Sequence, residues 1–293
     1  MTFYASTCQL ADRGVIRLSG AGTRAFLQGL VTCDMDRVTP DTAAYGALLS
    51  PQGKILSDFF IVENGDGFMM DAPLALTADL AKRLSFYRLR AKIIIEIESG
   101  GLSLDTQSDN DMTLAASWGE DPALPGAVAG FADPRAPVLG TRCIAPRRVT
   151  QGLPGYESAY EARRIEAGVP RGGADFAYGE TFPHEANLDR LHGVDFAKGC
   201  FIGQEVVARV EHRGTARKRV ARVTFKGPLL APGTKVMAGE TEIGSIGSSY
   251  FGHALAMLRL DKAADALAAG QALMAGDVRL ALVGDAGKTG GAA

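Results

Sequence analysis

The sequence is poor in the residues that build metal centres and disulfide scaffolds. Of 293 residues, four are cysteine, four are histidine and one is tryptophan. Cys8, Cys33, Cys143 and Cys200 are scattered, with no CxxC pair and no histidine at ligand spacing. That argues against a disulfide framework and against a preformed zinc or iron–sulfur centre within one chain. No apolar run approaches the ~18 residues of a membrane span. Charge of one sign is also missing: 31 Lys and Arg stand against 33 Asp and Glu, a net charge of −2. Such a chain has no global field to gather nucleic acid or acidic lipid. The opening, MTFYASTCQL, has neither a charged region before a long apolar stretch nor an Arg-rich amphipathic segment. A cytoplasmic protein with reduced thiols is therefore expected.

What remains is ordinary globular composition, 46% hydrophobic and 22% charged, long enough for two or three domains. GVIRLSG (14–20) reads as a strand and AGTRAFLQGLVTCDM (21–35) as a helical segment ending before Pro40. KILSDFFIVEN (54–64) and GFMMDAP (67–73), split by Gly-Asp-Gly, have a hairpin pattern. LALTADLAKRLSFYRL (74–89) is an amphipathic helix, and AKIIIEIE (91–98) a strand. Residues 99–112 and 119–137 read as surface loop and irregular connection. YESAYEARRIEAGVP (156–170) is a helix stopped by Gly168 and Pro170. Beyond Gly214, short strands divided by Gly and Pro-Gly turns argue for a small antiparallel barrel.

The stretch carrying chemistry is KGCFIGQE (198–205), a thiol between glycines behind a lysine. Gly203–Arg213 can be read as a strand, from alternating valines, or as a helix. Glu205 in the first turn, with Arg209 and His212 near the C-terminal end, favours the helix. On that reading Cys200 precedes a helix N-terminus and neighbours Lys198, two features that favour a thiolate. The alternative is a small turn residue beside glycines needed for the backbone. Each histidine reads more simply as structural than as catalytic, His184 in TFPHEANLD being the best exception. Trp118 reads as a packing anchor.

NLDRLHGVDFAKGCFIGQEVVARVEHRGTARKR (187–219) resembles the signature of the YgfZ family, folate-binding proteins of iron–sulfur cluster assembly related to the glycine cleavage T-protein, an aminomethyltransferase. LSGAGTRAFLQGLVTCDM, EARRIEAGVP and TEIGSIGSS extend the likeness over nearly the whole chain. The resemblance implies an α+β fold of three T-protein-like subdomains in a ring. Residues 1–45 with 140–215 would form a discontinuous folate-binding domain, and 46–139 an inserted ferredoxin-like unit. Residues 216–285 would form the barrel and 286–293 a disordered tail. It implies tetrahydrofolate, or a one-carbon derivative, as ligand and no metal held by the chain. Cys200, Lys198 and Asp58 would be the reactive group; Gly199, Phe201, Gly203, Gln204, Glu205, Glu166 and Arg209 would contact the cofactor. A pterin needs hydrogen-bond partners and a flat apolar slot, and its glutamyl tail needs cations at the rim. Iron–sulfur client or assembly proteins are the implied partners, tRNA-modifying enzymes among the clients, with no direct nucleic acid or membrane contact and a monomeric state.

Two departures separate this chain from the T-protein. Ser57 stands where the first of two adjacent acids is expected, with Asp58 second, and Cys200 stands where the T-protein motif carries an acid. A neutral hydroxyl cannot steer a proton as a carboxylate does. Three readings follow: a folate-dependent iron–sulfur assembly factor, an aminomethyltransferase or, behind these, a folate-binding sensor without chemistry.

Overall fold

The computed structural model describes residues 6–99, 108–119, 123–213 and 216–284. The tail expected at 286–293 and most of the loop expected at 99–112 lie outside the described residues. The chain divides into two compact units. The first comprises Met1–Leu49, Leu56–Tyr160 and Leu191–Ile202; the second comprises Ser50–Ile55, Glu161–Arg190 and Gly203–Ala293.

The first unit holds β1 (Ser6–Gln9), β2 (Arg13–Ser19), α1 (Thr23–Gln28), β3 (Ala44–Leu49), β4 (Ile55–Asn64), β5 (Gly67–Pro73) and α2 (Thr77–Tyr87). These are followed by β6 (Ile94–Ile97), β7 (Met112–Trp118), β8 (Ala129–Ala132), β9 (Thr141–Pro146) and α3 (Arg147–Thr150). A five-stranded sheet runs β3-β4-β5-β2-β6 and a four-stranded one runs β1-β7-β9-β8. Period-two alternation sorts the first sheet's residues onto two faces. Phe59, Ile61, Met70, Ile16 and Leu18 share a core with Leu27, Val31 and Cys33, and with Leu80 and Leu84 of α2. The opposite face carries Asp58, Phe60 and Asp71.

That opposite face is charged. Asp71, fully buried, accepts from Arg13 Nε at 2.6 Å and from Arg142 Nε of β9 at 2.7 Å. Arg142 also reaches Asp133 at 3.7 Å and the Tyr160 hydroxyl at 3.1 Å. Arg135 makes a forked pair with Asp133 at 3.0 and 2.7 Å. The Phe60 ring lies under three guanidiniums, with Arg142 4.3 Å from its centroid, Arg135 4.6 Å and Arg13 5.8 Å. Burial alone would disfavour these charges; each persists because a carboxylate faces it.

The domain boundary expected at residue 46 falls inside one hydrogen-bonded sheet, since β2 and β3 pair with strands on the far side of it. β7 pairs with β9 from Met112 to Ser117, and β8 pairs with β9, so Ala129–Ala132, inside the stretch expected to be irregular, is a strand of a sheet. Trp118 is buried with its ring 6.0 Å from that of Tyr160, as expected of a packing anchor.

The second unit contains most of α4 (Glu157–Ala167), then α5 (Gln204–Arg213), β10 (Lys218–Phe225), β11 (Lys235–Ala238), β12 (Thr241–Tyr250), β13 (His253–Arg259), α6 (Leu260–Ala268), β14 (Leu273–Ala275) and β15 (Val278–Leu282). Its six strands close in the order β10-β13-β12-β11-β14-β15. Closure leaves no free edge. Ala221, Val223 and Phe225 alternate inward with Ala254, Ala256 and Leu258. Arg164 of α4, buried, ties that helix to the barrel through Asp175 and Ser248 Oγ, both at 2.7 Å.

Candidate functional site

The helix expected over 203–213 is present as α5, beginning four residues after Cys200. Cys200 is exposed, whereas Cys8, Cys33 and Cys143 are all buried. Gly199 explains part of that exposure. Its φ of +92° lies in the left-handed region that glycine tolerates, and a Cβ there would meet nothing within 4 Å. The backbone turns outward into open space and carries the thiol with it.

The loop is held from beneath. Lys198 Nζ donates to the carbonyl oxygen of Gln28, at the C-terminal end of α1, at 2.8 Å and to that of Val31, just beyond it, at 2.5 Å. Its ammonium sits 5.4 Å from the Phe201 ring centroid, and Phe201 is buried. Thr32 Oγ1 donates to Gly193 O at 2.6 Å and accepts from Ala47 N at 2.8 Å, joining the loop to β3. Asp195 N donates to Thr32 O at 2.9 Å, and Asp195 pairs with Arg37 at 3.3 Å.

Lys198 was expected to act on Cys200. Its ammonium is instead committed to α1, and Cys33 is the thiol whose charge it influences. Burial pushes Cys33 up to about 12, against the pull of Lys198. Burial also lowers Lys198 from its ordinary value, opposed by Cys33 and the carboxylates of Asp34 and Asp195. A thiol raised from 9.0 to about 12 leaves stability unchanged below pH ~9, where both folded and unfolded forms are neutral. Between there and about pH 12 the unfolded thiol ionises first, so stability falls by about 1.4 kcal/mol per pH unit. Urea unfolding of wild type and Cys33→Ala should therefore converge as pH rises from 8 to about 10.5, the wild type losing about 2 kcal/mol more. Parallel losses would contradict the burial of a neutral thiol.

Asp58 is buried and accepts from the Tyr45 hydroxyl at 3.0 Å. Burial and the Asp58 charge together raise Tyr45 well above its ordinary range, with Arg135 and Arg13 opposing. Asp58 thus belongs to the charged face of the five-stranded sheet. Ser57, also buried, has its hydroxyl 3.5 Å from the Asp58 carbonyl oxygen.

Among the expected ligand contacts of the second unit, Gly203 has φ +80° and Gln204 opens α5. Glu205 and Arg209 are exposed and face each other at 3.5 Å along that helix. The cation expected at a ligand rim thus has a carboxylate partner one turn away. Glu166 is exposed on α4 at the mouth of a cleft of about 220 Å³ walled by Ile165, Val223, Ala254 and Val283, with Arg222 and His253. A carboxylate over an apolar wall suits a planar ring with a donor edge. His184 is buried, its Nε2 3.0 Å from Glu211 Oε2. Sequence reasoning missed Arg142 and Asp71 altogether; the one available signal was a lone acid inside the apolar run FMMDAP.

Residues 217–284 match the family described as CAF17, C-terminal beta-barrel domain. The chain is 31% identical over 267 residues to the "Iron-sulfur cluster assembly factor IBA57 homolog, mitochondrial" of Chaetomium globosum, covering 83% of this chain and 61% of that protein. It is 33% identical over 240 residues to the protein of the same name from Coccidioides immitis, covering 73% and 56%. It spans about three fifths of the length of these relatives. Their mitochondrial naming overturns the expectation of a cytoplasmic setting, which rested on the character of the first ten residues. The structure superposes on the glycine cleavage system aminomethyltransferase T of Bartonella henselae with a TM-score of 0.73, at 16% identity, over 96% of this chain and 85% of that one. That likeness establishes the α+β fold. The chain is IBA57-like in sequence, carries a CAF17-type barrel at residues 217–284, and has the fold of the glycine cleavage T-protein.

Proposed function

We propose that this chain is an iron–sulfur cluster assembly factor that binds tetrahydrofolate or a one-carbon derivative, with Cys200 as its redox or ligand contact. The observation that carries the proposal is the contrast among the cysteines: three are buried, and the one in KGCFIGQE is exposed on a turn anchored by Lys198. The names of the relatives supply the process, which is said of them and extended here to this chain. Its clients would be iron–sulfur enzymes, those that modify tRNA among them, with the cluster as cargo.

The folate reading rests on chemistry that fits. Glu166 offers acceptors to a pterin's donor edge above an apolar wall. Tetrahydrofolate should bind the purified protein saturably, and Glu166→Ala should weaken it by about tenfold. No binding at saturating ligand would end the folate half of the proposal. The alternative, an aminomethyltransferase, is favoured by fold alone. It is opposed by Ser57 at the first acid position and by Asp58 being engaged beneath Tyr45. Turnover of a lipoyl-carried aminomethyl donor at a T-protein's rate would establish it over the assembly reading.

A further inference from the structure

One end of the barrel carries a cationic cleft that neither the thiol nor the folate reading uses. It has a volume of about 360 Å³ and is lined by Phe182, His184, Arg217, Lys218 and Arg259, with Glu185 and Val210 among its other neighbours. Its charges arise from strand register. Lys218 of β10 and Arg259 of β13 are direct cross-strand partners, and alternation places both on the outer side, opposite the inward-facing Ala221 and Leu258. Like charges directly opposed destabilise a strand pair unless something of opposite charge lies between them.

The nearby acids do not neutralise the cleft. Asp261 holds Arg259 through both oxygens, at 3.0 and 2.8 Å. Glu185 accepts from the Phe182 backbone N–H at 2.8 Å and stays one negative charge in the wall, fewer than the cations around it. Asp189 is consumed by Arg219, at 2.7 and 2.9 Å, and Glu211 faces His184. Arg217 and Lys218 have no ion pair among the described residues, and both are exposed. The Arg217 backbone is held, its carbonyl accepting from Leu260 N at 2.8 Å. The result is a recess with two uncommitted cations, a third paired with Asp261, the Glu185 carboxylate in its wall, and the Phe182 ring and Val210 as apolar sides.

We infer that this cleft binds a small linear ligand carrying two or more carboxylate or phosphate groups. A guanidinium and an ammonium side by side give such a ligand one forked contact and one point contact. The ligand's charges would be met first by Arg217 and Lys218, which have no ion pair of their own among the described residues. The two sources of this chemistry are a glutamyl chain and a polyphosphate.

Calorimetric titration of the intact protein with pentaglutamate and, separately, tripolyphosphate distinguishes them at low ionic strength. At least one should bind at a single saturable site, weakening steeply with salt. Lys218→Glu should weaken binding by about tenfold or more. Lys235→Ala, which removes an exposed barrel lysine paired with Glu242, should leave it unchanged. Binding of pentaglutamate alone assigns a carboxylate ligand, and of tripolyphosphate alone a phosphate ligand. Binding of neither, or equal weakening by the Lys218 and Lys235 variants, would overturn the inference.

Discussion

Asp71→Ala is expected to cost about 3–5 kcal/mol of stability, the toll of leaving buried charge without its partner. The carboxylate is fully buried and serves Arg13 and Arg142 together. Arg142, itself 2% exposed, would keep only the 3.7 Å approach to Asp133 and its bond to Tyr160. The loss should appear as a fall in the melting midpoint of roughly 10 °C. The partner variant decides the cause. Arg142→Met in the same chain removes the orphaned cation and should restore a large part of the loss, because an apolar replacement of a buried pair is often tolerated. A single-variant loss below about 1 kcal/mol would place this pair in the class of solvent-screened ion pairs. The structure excludes that class by burial.

This cluster also shows where sequence reading stops. The hairpin of β4 and β5 and the six-stranded barrel were legible, because their turns are marked by glycine and their strands alternate. α5 was legible from its charged ends, even though its valines also suit a strand. The second sheet was not. MTLAASW and AGFA are short and rich in small residues, the Pro and Gly around AGFA mask it as irregular connection, and β1 pairs with β7 more than a hundred residues away. Arg142 and Asp71 lie 71 positions apart, a distance no local pattern spans.

The same limit applied at the site. The motif KGCFIGQE holds the thiol that the fold leaves exposed, and the glycines beside it signalled the left-handed turns at Gly199 and Gly203. What Lys198 does could not be read locally, since its acceptors Gln28 and Val31 lie 170 and 167 positions upstream. Adjacency suggested a lysine acting on the cysteine two residues on. The folded chain uses it as an anchor, satisfying the end of α1 so that Gly199 and Cys200 can project. The Arg209–Glu205 pair, by contrast, follows from four-residue spacing once 203–213 is a helix.

The second large effect concerns that projecting thiol. Removing its sulfur changes an exposed side chain and touches no core, so Cys200→Ala should fold with wild-type stability, within about 0.5 kcal/mol. In the native protein Cys200 should be alkylated at least about a hundredfold faster than Cys8, Cys33 or Cys143, which become accessible only through opening of the fold. Function should separate sharply from stability. The variant should keep its unfolding midpoint and its tetrahydrofolate binding while failing to support iron–sulfur enzymes.

The decisive measurement is the activity of an iron–sulfur enzyme in cells that depend on this chain, comparing wild type with Cys200→Ala at equal protein abundance. The account predicts loss of most of that activity, with Cys143→Ala retaining it if the variant folds. Full client activity in the Cys200→Ala cells would contradict the claim that this exposed sulfur is the working group.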